Sequence, residues 1–281
     1  MIDRTLIIDG PYLAHRSRHA PFQLHTSTGM NSTMIHSFMV SLHSLIKKFD
    51  PKKVIIAWES PGTKSWRKQL QPDYKPHKLI EQDFFFQMKE LQQLLLLLGY
   101  KQFTSDTNEA DDVIATLIGL LDNLPCIIFT TDKDIMQLIT CKIIVVYNGK
   151  EIVDQIDVQN KFGIMPYQIP DLLAIWGDTS DNIEGIKGFG LKKSAKHIVD
   201  YGSVENLPDS PGFTKDLSLL YLNRNKILLN RQLAKLKNDC ILKPIEKDNN
   251  ITIDKVLDKY ELKKIKEHIN DYEAGMNVAR L

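Results

Sequence analysis

The stretch Thr5-Leu-Ile-Ile-Asp9, which Gly10 follows, decides the predicted fold. It is an apolar, mostly β-branched run that ends in a carboxylate, and such a run is typical of a strand buried on both faces of a parallel sheet. A second apolar strand is predicted over 54–58, and the apolar residues of 31–49 recur with helical spacing between the two. Because a helical crossover joins two strands in this order, the sequence predicts a parallel sheet.

The alternation of strand and helix continues to a strand predicted over 143–147. Between these points, further strands are predicted over 101–104 and 126–130, and further helices over 84–98 and 111–121. Beyond residue 169 the periodicity predicts helices instead, over 172–176, 191–201, 217–236 and 260–268. We therefore predict an α/β domain over 1–168 and a helical subdomain over 169–281.

The composition excludes several classes of protein. The 281 residues are 43% hydrophobic and 25% charged, which excludes a disordered or collagen-like chain. The 36 basic and 35 acidic residues give a net charge of +1, so bulk charge does not indicate a nucleic-acid partner. The longest aliphatic run, 94–98, is too short for a membrane helix, and no secretory leader opens the chain. Because Cys126, Cys141 and Cys240 form no CxxC pair, we expect a cytoplasmic protein with reduced thiols and no zinc framework.

Carboxylates recur where predicted strands end and where predicted helices begin. Because the carboxyl ends of parallel strands meet at one edge of a sheet, we expect these side chains to lie together there. Each acid taken alone also fits a helix cap, a helix N-terminal charge or a solvated turn. The candidate metal ligands are Asp9, Glu59, Glu109, Asp111, Asp112, Asp132, Asp134, Asp178 and Asp181.

Such a cluster predicts a site for divalent cations. Like charges packed together repel unless cations neutralise them, and ligands that are all oxygen suit Mg²⁺ or Mn²⁺. Two such ions about 4 Å apart can bind a phosphodiester, generate hydroxide and stabilise the leaving oxygen. This reaction needs no covalent nucleophile, and the sequence contains neither a GxSxG motif nor a phosphate-binding loop of an ATPase.

Cations interleaved with aromatic residues follow the second predicted strand. This pattern in the stretch 60–80 fits an ordinary solvated loop. Over a carboxylate site it also fits an element that grips a nucleic-acid strand by phosphate pairing and base stacking. The candidate contacts are Lys64, Arg67, Lys68, Tyr74, Lys75 and Lys78.

A glycine turn over 185–190 with lysines around it is the second basic feature. A tight turn that opens a helix presents backbone N–H groups to a phosphate. A lone GxG is weak evidence, but the surrounding lysines predict a clamp on a duplex backbone that recognises shape rather than bases. The candidate contacts are Gly185, Lys187, Gly188, Gly190, Lys192, Lys193 and Lys196.

Four motifs together resemble the 5′-nuclease, or flap endonuclease, family. They are Ile7-Ile-Asp9-Gly10, Glu109-Ala-Asp-Asp112, Thr131-Asp-Lys-Asp134 and the segment 177–190. The family includes the 5′-3′ exonuclease domains of bacterial DNA polymerases and stand-alone phage and bacterial enzymes. The resemblance implies an α/β fold with a PIN-like, mostly parallel sheet flanked by helices. It also implies a helical arch near 60–80 and a C-terminal helix-three-turn-helix subdomain.

The resemblance implies two metal ions, Mg²⁺ or Mn²⁺. It assigns to the first ion Asp9, Glu109, Asp111 and Asp112. It assigns to the second ion Asp132, Asp134 and Asp181, with Asp178 in support. Glu59 stands where the family commonly has Asp, and Glu184 stands where bacterial members often have Pro.

The resemblance also implies how the substrate is held. Lys75 and Arg67 are similar to arch cations that steer the scissile phosphate, and with Asp111 and Asp134 they form the expected catalytic set. Arg16 resembles a basic residue that the family uses near the substrate. The glycine turn is similar to the element that grips duplex DNA in the family and holds a K⁺ ion.

The implied function is a divalent-metal-dependent 5′-3′ exonuclease and 5′-flap endonuclease that leaves 5′-phosphate and 3′-hydroxyl ends. We expect a stand-alone, monomeric enzyme from a bacterium or a phage, acting on 5′ flaps, 5′ ends and branched junctions of DNA. A replication or repair polymerase is the expected partner, and no membrane is involved. Two alternatives stay open: a catalytically weak module that binds DNA junctions, and a PIN-type endoribonuclease.

Overall fold

The structure, a computed structural model, describes residues 4–60, 65–75, 82–122, 124–211 and 213–272. The chain forms two compact units. The first unit comprises Met1–Thr63, Lys78–Thr130 and Asn238–Leu281, and the second comprises Lys64–His77 and Thr131–Lys237. The division predicted from the sequence, at residues 168 and 169, stays a prediction.

The first unit contains a mostly parallel sheet. Its strands are β1 (Thr5–Asp9), β2 (Lys53–Ala57), β3 (Lys101–Thr104) and β4 (Cys126–Thr130), and the later β7 (Lys243–Pro244). Their order is β4-β1-β2-β3-β7, in which the first four strands are parallel and β7 pairs antiparallel with β3. The central strand β1 is buried along its whole length, as its uninterrupted apolar sequence predicts.

Helices flank this sheet. Those of the first unit are α1 (Gly10–Arg18), α2 (Thr33–Phe49), α4 (Gln82–Leu97), α5 (Ala110–Leu120), α11 (Ile253–Lys259), α12 (Lys263–Glu267) and α13 (Ile269–Tyr272). Helix α5 is mostly buried, and α2 contributes the fully buried Phe38, which stacks on Trp58. The predicted α/β architecture, a mostly parallel sheet with flanking helices, is confirmed.

The second unit is mainly helical. It contains α3 (Trp66–Leu70), α6 (Gln155–Phe162), α7 (Ile169–Trp176), α8 (Leu191–Tyr201), α9 (Lys215–Leu222) and α10 (Arg224–Ala234). Helix α7 packs against α8 and α10. A hairpin of β5 (Ile143–Tyr147) and β6 (Glu151–Val153) also belongs to this unit, and its turn places Asn148 and Gly149 at positive φ. Such turns match the right-handed twist of the strands that they join.

Several elements differ from the sequence prediction. Helix α1 has no apolar periodicity, but Pro11 lies in its first turn and Asp9 caps it by accepting a hydrogen bond from the Tyr12 N–H at 3.0 Å. The helix predicted over 217–236 is instead two helices that meet at Asn223. Strands β6 and β7 and helix α6 are too short or too polar to be predicted. Of the arch predicted near 60–80, residues 61–64 and 76–81 lie outside the described residues.

Within the described ranges, no helix combines the length and the apolar character needed to cross a membrane.

We predict that Gly10→Ala destabilises the first unit. An added Cβ would lie 2.6 Å from Cε3 of Trp58, whose buried ring is also fixed by its Nε1–H, which donates to Gln102 Oε1 at 2.9 Å. We expect a loss of about 1–3 kcal/mol in the free energy of unfolding, measured by urea denaturation, because the ring must move in a close-packed core.

The matched control is Gly119→Ala in α5, where an added Cβ meets nothing within 4 Å. Since alanine favours the helix, this variant is expected to gain up to about 1 kcal/mol. If both variants unfolded at the urea concentration of the wild type, the packing assigned to Gly10 would be wrong.

Candidate metal centre

Asp134 opens a short 3₁₀ turn, Asp134–Leu138, near the start of the longer segment of the second unit. Asp132, two residues earlier, accepts a hydrogen bond from the Asp134 N–H at 2.8 Å and so fixes the turn. The Asp134 side chain is buried, and its Oδ1 has no hydrogen-bond partner among the described residues. A buried carboxylate oxygen without a donor is costly unless a cation occupies that position.

A second loop, between α7 and α8, carries Asp178 and Asp181. Asp178 and Ile183 exchange two backbone hydrogen bonds, of 2.8 and 2.7 Å, which close the loop into a tight turn. Gly177 has φ = +88°, and an added Cβ on Gly185 would lie 2.2 Å from the carbonyl oxygen of Trp176. The two glycines are therefore required by close approach of the backbone, which folds the loop back on the end of α7.

These two loops bring three carboxylates together. Asp134, Asp178 and Asp181 are all buried, and one carboxylate oxygen from each lies within 4.8 Å of the others. The sequence predicted that these acids lie together in one carboxylate cluster, and the family resemblance assigned Asp134 and Asp181 to one metal ion with Asp178 in support.

The burial and the proximity of the carboxylates shift their pKa values. Burial raises the pKa of the Asp134 carboxyl well above its usual value, and the neighbouring carboxylates, Asp132 first, raise it further. Burial also raises the pKa of Asp181, although Lys75 and the hydrogen bond from Tyr74 oppose the rise. Cations bound at this cluster would offset both the desolvation and the repulsion.

The segment 71–75 is joined to the Asp181 loop. The Tyr74 hydroxyl donates to Asp181 Oδ2 at 2.6 Å, and Lys75 Nζ lies 3.6 Å from Asp181 Oδ1. Two hydrogen bonds between side chain and backbone, Gln71 to Asn182 at 3.0 Å and Asn182 to Asp73 at 2.8 Å, hold the two segments in place. A lysine and a tyrosine predicted to contact the substrate thus lie directly beside the acid cluster.

Arg67 has a different environment. It is buried, and its guanidinium donates to the carbonyl oxygens of Leu233 at 2.7 Å and Lys235 at 3.4 Å, next to the ring of Trp66. These contacts tie α3 to the end of α10. The role of Arg67 at the scissile phosphate stays a prediction.

Sequence reasoning did not identify Lys133 or Asn230. Lys133 Nζ lies 2.8 Å from Asp178 Oδ1. The buried Asn230 amide donates to the carbonyl oxygens of Ala174 and Glu184, at 3.0 and 2.9 Å, and so fixes both ends of the Asp178–Asp181 loop. A lysine between two acids was the available signal for Lys133. No local signal marks Asn230, because its partners lie far away in sequence.

The remaining acids belong to the first unit. Asp9 is buried at the end of β1, and its Oδ2 accepts a hydrogen bond from the Thr130 hydroxyl at 2.6 Å. Asp112 and Glu109 are buried at the start of α5, Asp111 is half-buried there, and Glu59 is exposed after β2. That they join the acids of the second unit in one site stays a prediction.

Most of the residues predicted to contact DNA lie within the described ranges. At the glycine turn, Gly188 has φ = +89°, and Lys187, Lys192 and Lys196 are exposed. Lys193 instead pairs with Asp216 at 2.6 Å. Gly190 caps α8, and Gly185 has the packing role given above.

The other predicted contacts lie away from the glycine turn. Arg16 is exposed on α1, with its guanidinium 5.7 Å from the Phe129 ring centroid. Lys68 is half-buried, and Lys64 and Lys78 lie outside the described residues.

Two sequence families together match most of the chain. Residues 4–163 match a family described as 5′-3′ exonuclease, N-terminal resolvase-like domain, and residues 164–267 match 5′-3′ exonuclease, C-terminal SAM fold. A 5′-3′ exonuclease of Aquifex aeolicus is 31% identical over 272 residues, which is 95% of this chain and 91% of that protein. A thermostable DNA polymerase I of Thermus filiformis is 32% identical over 87% of this chain, which spans 29% of the polymerase.

The fold has solved counterparts. A bacteriophage T5 flap endonuclease, crystallised as a pseudo-enzyme-product complex with DNA and metal ions, aligns with a TM-score of 0.70. That alignment covers 96% of this chain and 99% of the T5 protein at 24% identity, so it supports the fold. Taken with the sequence matches, these findings show that the chain belongs to the 5′-3′ exonuclease family of metal-dependent nucleases.

Proposed function

We propose that this chain hydrolyses phosphodiester bonds of DNA at 5′ flaps and 5′ ends with two divalent cations, leaving 5′-phosphate and 3′-hydroxyl ends. The observation that supports this most directly is the buried group of Asp134, Asp178 and Asp181 with Lys75 beside it. The group has the donors for a cation and a positive charge for a phosphate, and the sequence shows no covalent nucleophile of a known motif.

The residues fit divalent cations of the Mg²⁺ or Mn²⁺ kind. The cluster offers only oxygen donors, and Asp134 Oδ1 is buried without a hydrogen-bond partner among the described residues. We propose that Asp134 and Asp181, with Asp132 and Asp178 close by, hold one ion. Asp9, Glu109, Asp111 and Asp112 would hold the other. When bound, such ions supply Lewis-acid stabilisation of the negative charge that develops on the reacting phosphate.

The protein's own cations complete the site. Lys75 is a third exposed, and its position beside Asp181 lets its ammonium group pair with a phosphate oxygen of a bound strand. Tyr74 fixes the Asp181 carboxylate through its hydroxyl and therefore keeps Lys75 and the acids in a constant relative position. An ammonium group fixed in this way would stabilise the extra charge of the transition state without reorganising during the reaction.

The exposed lysines of the glycine turn would bind the duplex part of the substrate. Lys187, Lys192 and Lys196 lie around the turn and the start of α8, where backbone N–H groups also favour an anion. The T5 enzyme crystallised with DNA supports DNA as the substrate, and the relationship to a DNA polymerase I supports a replication or repair polymerase as partner. We also propose that the protein is monomeric and cytoplasmic, and that the glycine turn binds a K⁺ ion.

The first test is cleavage of a labelled 5′-flap duplex in Mg²⁺. We expect the wild type to release the flap and Asp134→Ala to lose at least about a hundredfold in rate, because a metal ligand is lost. Lys142→Ala, at an exposed lysine of the same unit, is the control and should cleave at the wild-type rate.

Equal cleavage by Asp134→Ala would refute the metal assignment. Binding without cleavage in Mg²⁺ and Mn²⁺ would indicate a binding module, and a preference for RNA hairpins would indicate an endoribonuclease.

The second test concerns stability without metal. Because burial and its neighbours raise the pKa of Asp134, the folded state holds a proton that the unfolded chain releases. The metal-free protein therefore loses stability as the pH rises above the usual aspartate range toward the raised value.

We expect Asp134→Asn to be more stable than the wild type at neutral pH in a chelator, because the amide carries no charge that burial and the neighbouring carboxylates would destabilise. The difference should shrink as the pH is lowered, because the wild-type carboxyl is then protonated. Thermal unfolding at two pH values measures this, and a less stable Asp134→Asn at neutral pH would contradict the repulsion.

The third test concerns the clamp. The logarithm of affinity for a flap duplex should fall linearly with the logarithm of salt concentration, since phosphate contacts release counterions. Replacing both Lys192 and Lys196 by Ala should reduce the slope by about two, whereas Lys150→Ala, at an exposed lysine in the β5-β6 turn, should not change it. A slope unaffected by the double substitution would exclude these lysines from the DNA contact.

A further inference from the structure

The charge of Asp178 has a close partner, since its ion pair with a lysine is shorter than the 3.6 Å pair between Asp181 and Lys75. Asp178 Oδ1 accepts hydrogen bonds from the Ser180 N–H at 2.9 Å and from the Ser180 hydroxyl, and it forms an ion pair with Lys133 Nζ at 2.8 Å. The Asp178 side chain is 1% exposed, so water does little to screen this pair. Burial alone would raise the pKa of Asp178, but Lys133 and Ser180 outweigh it and hold the pKa below its usual value.

The position of Lys133 in the chain places it beside the acid cluster. It lies between Asp132 and Asp134, and its side chain turns to Asp178 on the other loop, with Nζ 5.7 Å from the Trp176 ring centroid. The side chain is 29% exposed. The ion pair with Asp178 and the ring of Trp176 both position the ammonium group, so its charge lies close to the carboxylates.

The loop that carries Asp178 does not need Lys133 to keep its shape. The two backbone hydrogen bonds between Asp178 and Ile183, the two Ser180 donors and the Asn230 amide hold it independently. Removing the ammonium group therefore changes the charge of the cluster more than its geometry. A positive charge several ångströms from a bound divalent ion repels that ion, and in buried surroundings the repulsion is substantial.

We propose that Lys133 is a resident countercation of the acid cluster: it offsets the charge of Asp178 and thereby weakens divalent-ion binding by Asp134 and Asp181. The inference rests on the proposed function, because it assumes that the cluster binds such ions. Its consequence is a metal-free site whose affinity for divalent ions is lower than the three carboxylates alone would give. Lys133 acts through Asp178 and is a positioning residue.

The test is direct binding of Mn²⁺ to the full chain, followed by the electron paramagnetic resonance signal of free Mn²⁺ in the absence of DNA. We expect Lys133→Met to bind Mn²⁺ about tenfold more tightly than the wild type, since a unit positive charge near the ion is removed. Lys133→Arg keeps the charge and should restore the wild-type affinity. Lys142→Met is the matched control for loss of a lysine elsewhere in the unit.

The direction of the change separates this role from a structural one. Damage to the loop would weaken Mn²⁺ binding, whereas loss of a countercation tightens it. Adding Asp178→Asn to Lys133→Met should cancel the gain, because the unpaired carboxylate is then removed. Unchanged or weaker binding by Lys133→Met would overturn the inference while leaving the proposed function intact, and a wild type that binds no Mn²⁺ would overturn both.

Discussion

Electrostatic repulsion among three buried carboxylates is the main physical constraint on the second unit. Asp134, Asp178 and Asp181 approach one another within 4.8 Å, and burial removes the water that would otherwise screen them. A protein keeps such a cluster only if positive charge is available, from lysines, protons or metal ions. Here the lysines offset part of the charge, the raised pKa of Asp134 indicates a role for protons, and oxygen ligands suit a divalent cation.

Backbone contacts hold the carboxylates close together despite this repulsion. Gly177 and Gly185 allow the chain to approach the end of α7 more closely than any side chain would permit, and the Asn230 amide fixes the same loop from α10. The segment 71–75 is attached to the loop by Tyr74 and by two amide side chains. Lys75, the proposed phosphate-binding cation, and the proposed metal-binding acids are consequently positioned by one set of contacts, as catalysis by preorganised charge would require.

The sequence predicted the features that depend on local pattern. The strands β1, β4 and β5 are uninterrupted apolar runs whose bounds agree with the prediction, because short runs rich in β-branched residues are typical of strands with little exposure to solvent. Helix α1 escaped prediction because a Pro near its start and an Asp cap form it without apolar periodicity.

The site was predictable only where its chemistry is concentrated in short motifs. The carboxylates of Asp132, Asp134, Asp178 and Asp181 stand out by position, but the partners that tune them come from distant segments. The pairing of Lys133 with Asp178 and the support from Asn230 require the tertiary fold. The burial of Arg67 against the carbonyl groups at the end of α10 likewise has no local signature, since a cation in a polar stretch ordinarily faces solvent.

The central claim is that the acid cluster exists to bind divalent ions. A crystal of the wild-type chain soaked in Mn²⁺, with the ions located by anomalous diffraction, tests it most directly. We expect a Mn²⁺ peak at about 2.2 Å from carboxylate oxygens of Asp134 and Asp181. Density that shows no ion at these carboxylates at saturating Mn²⁺ would contradict it.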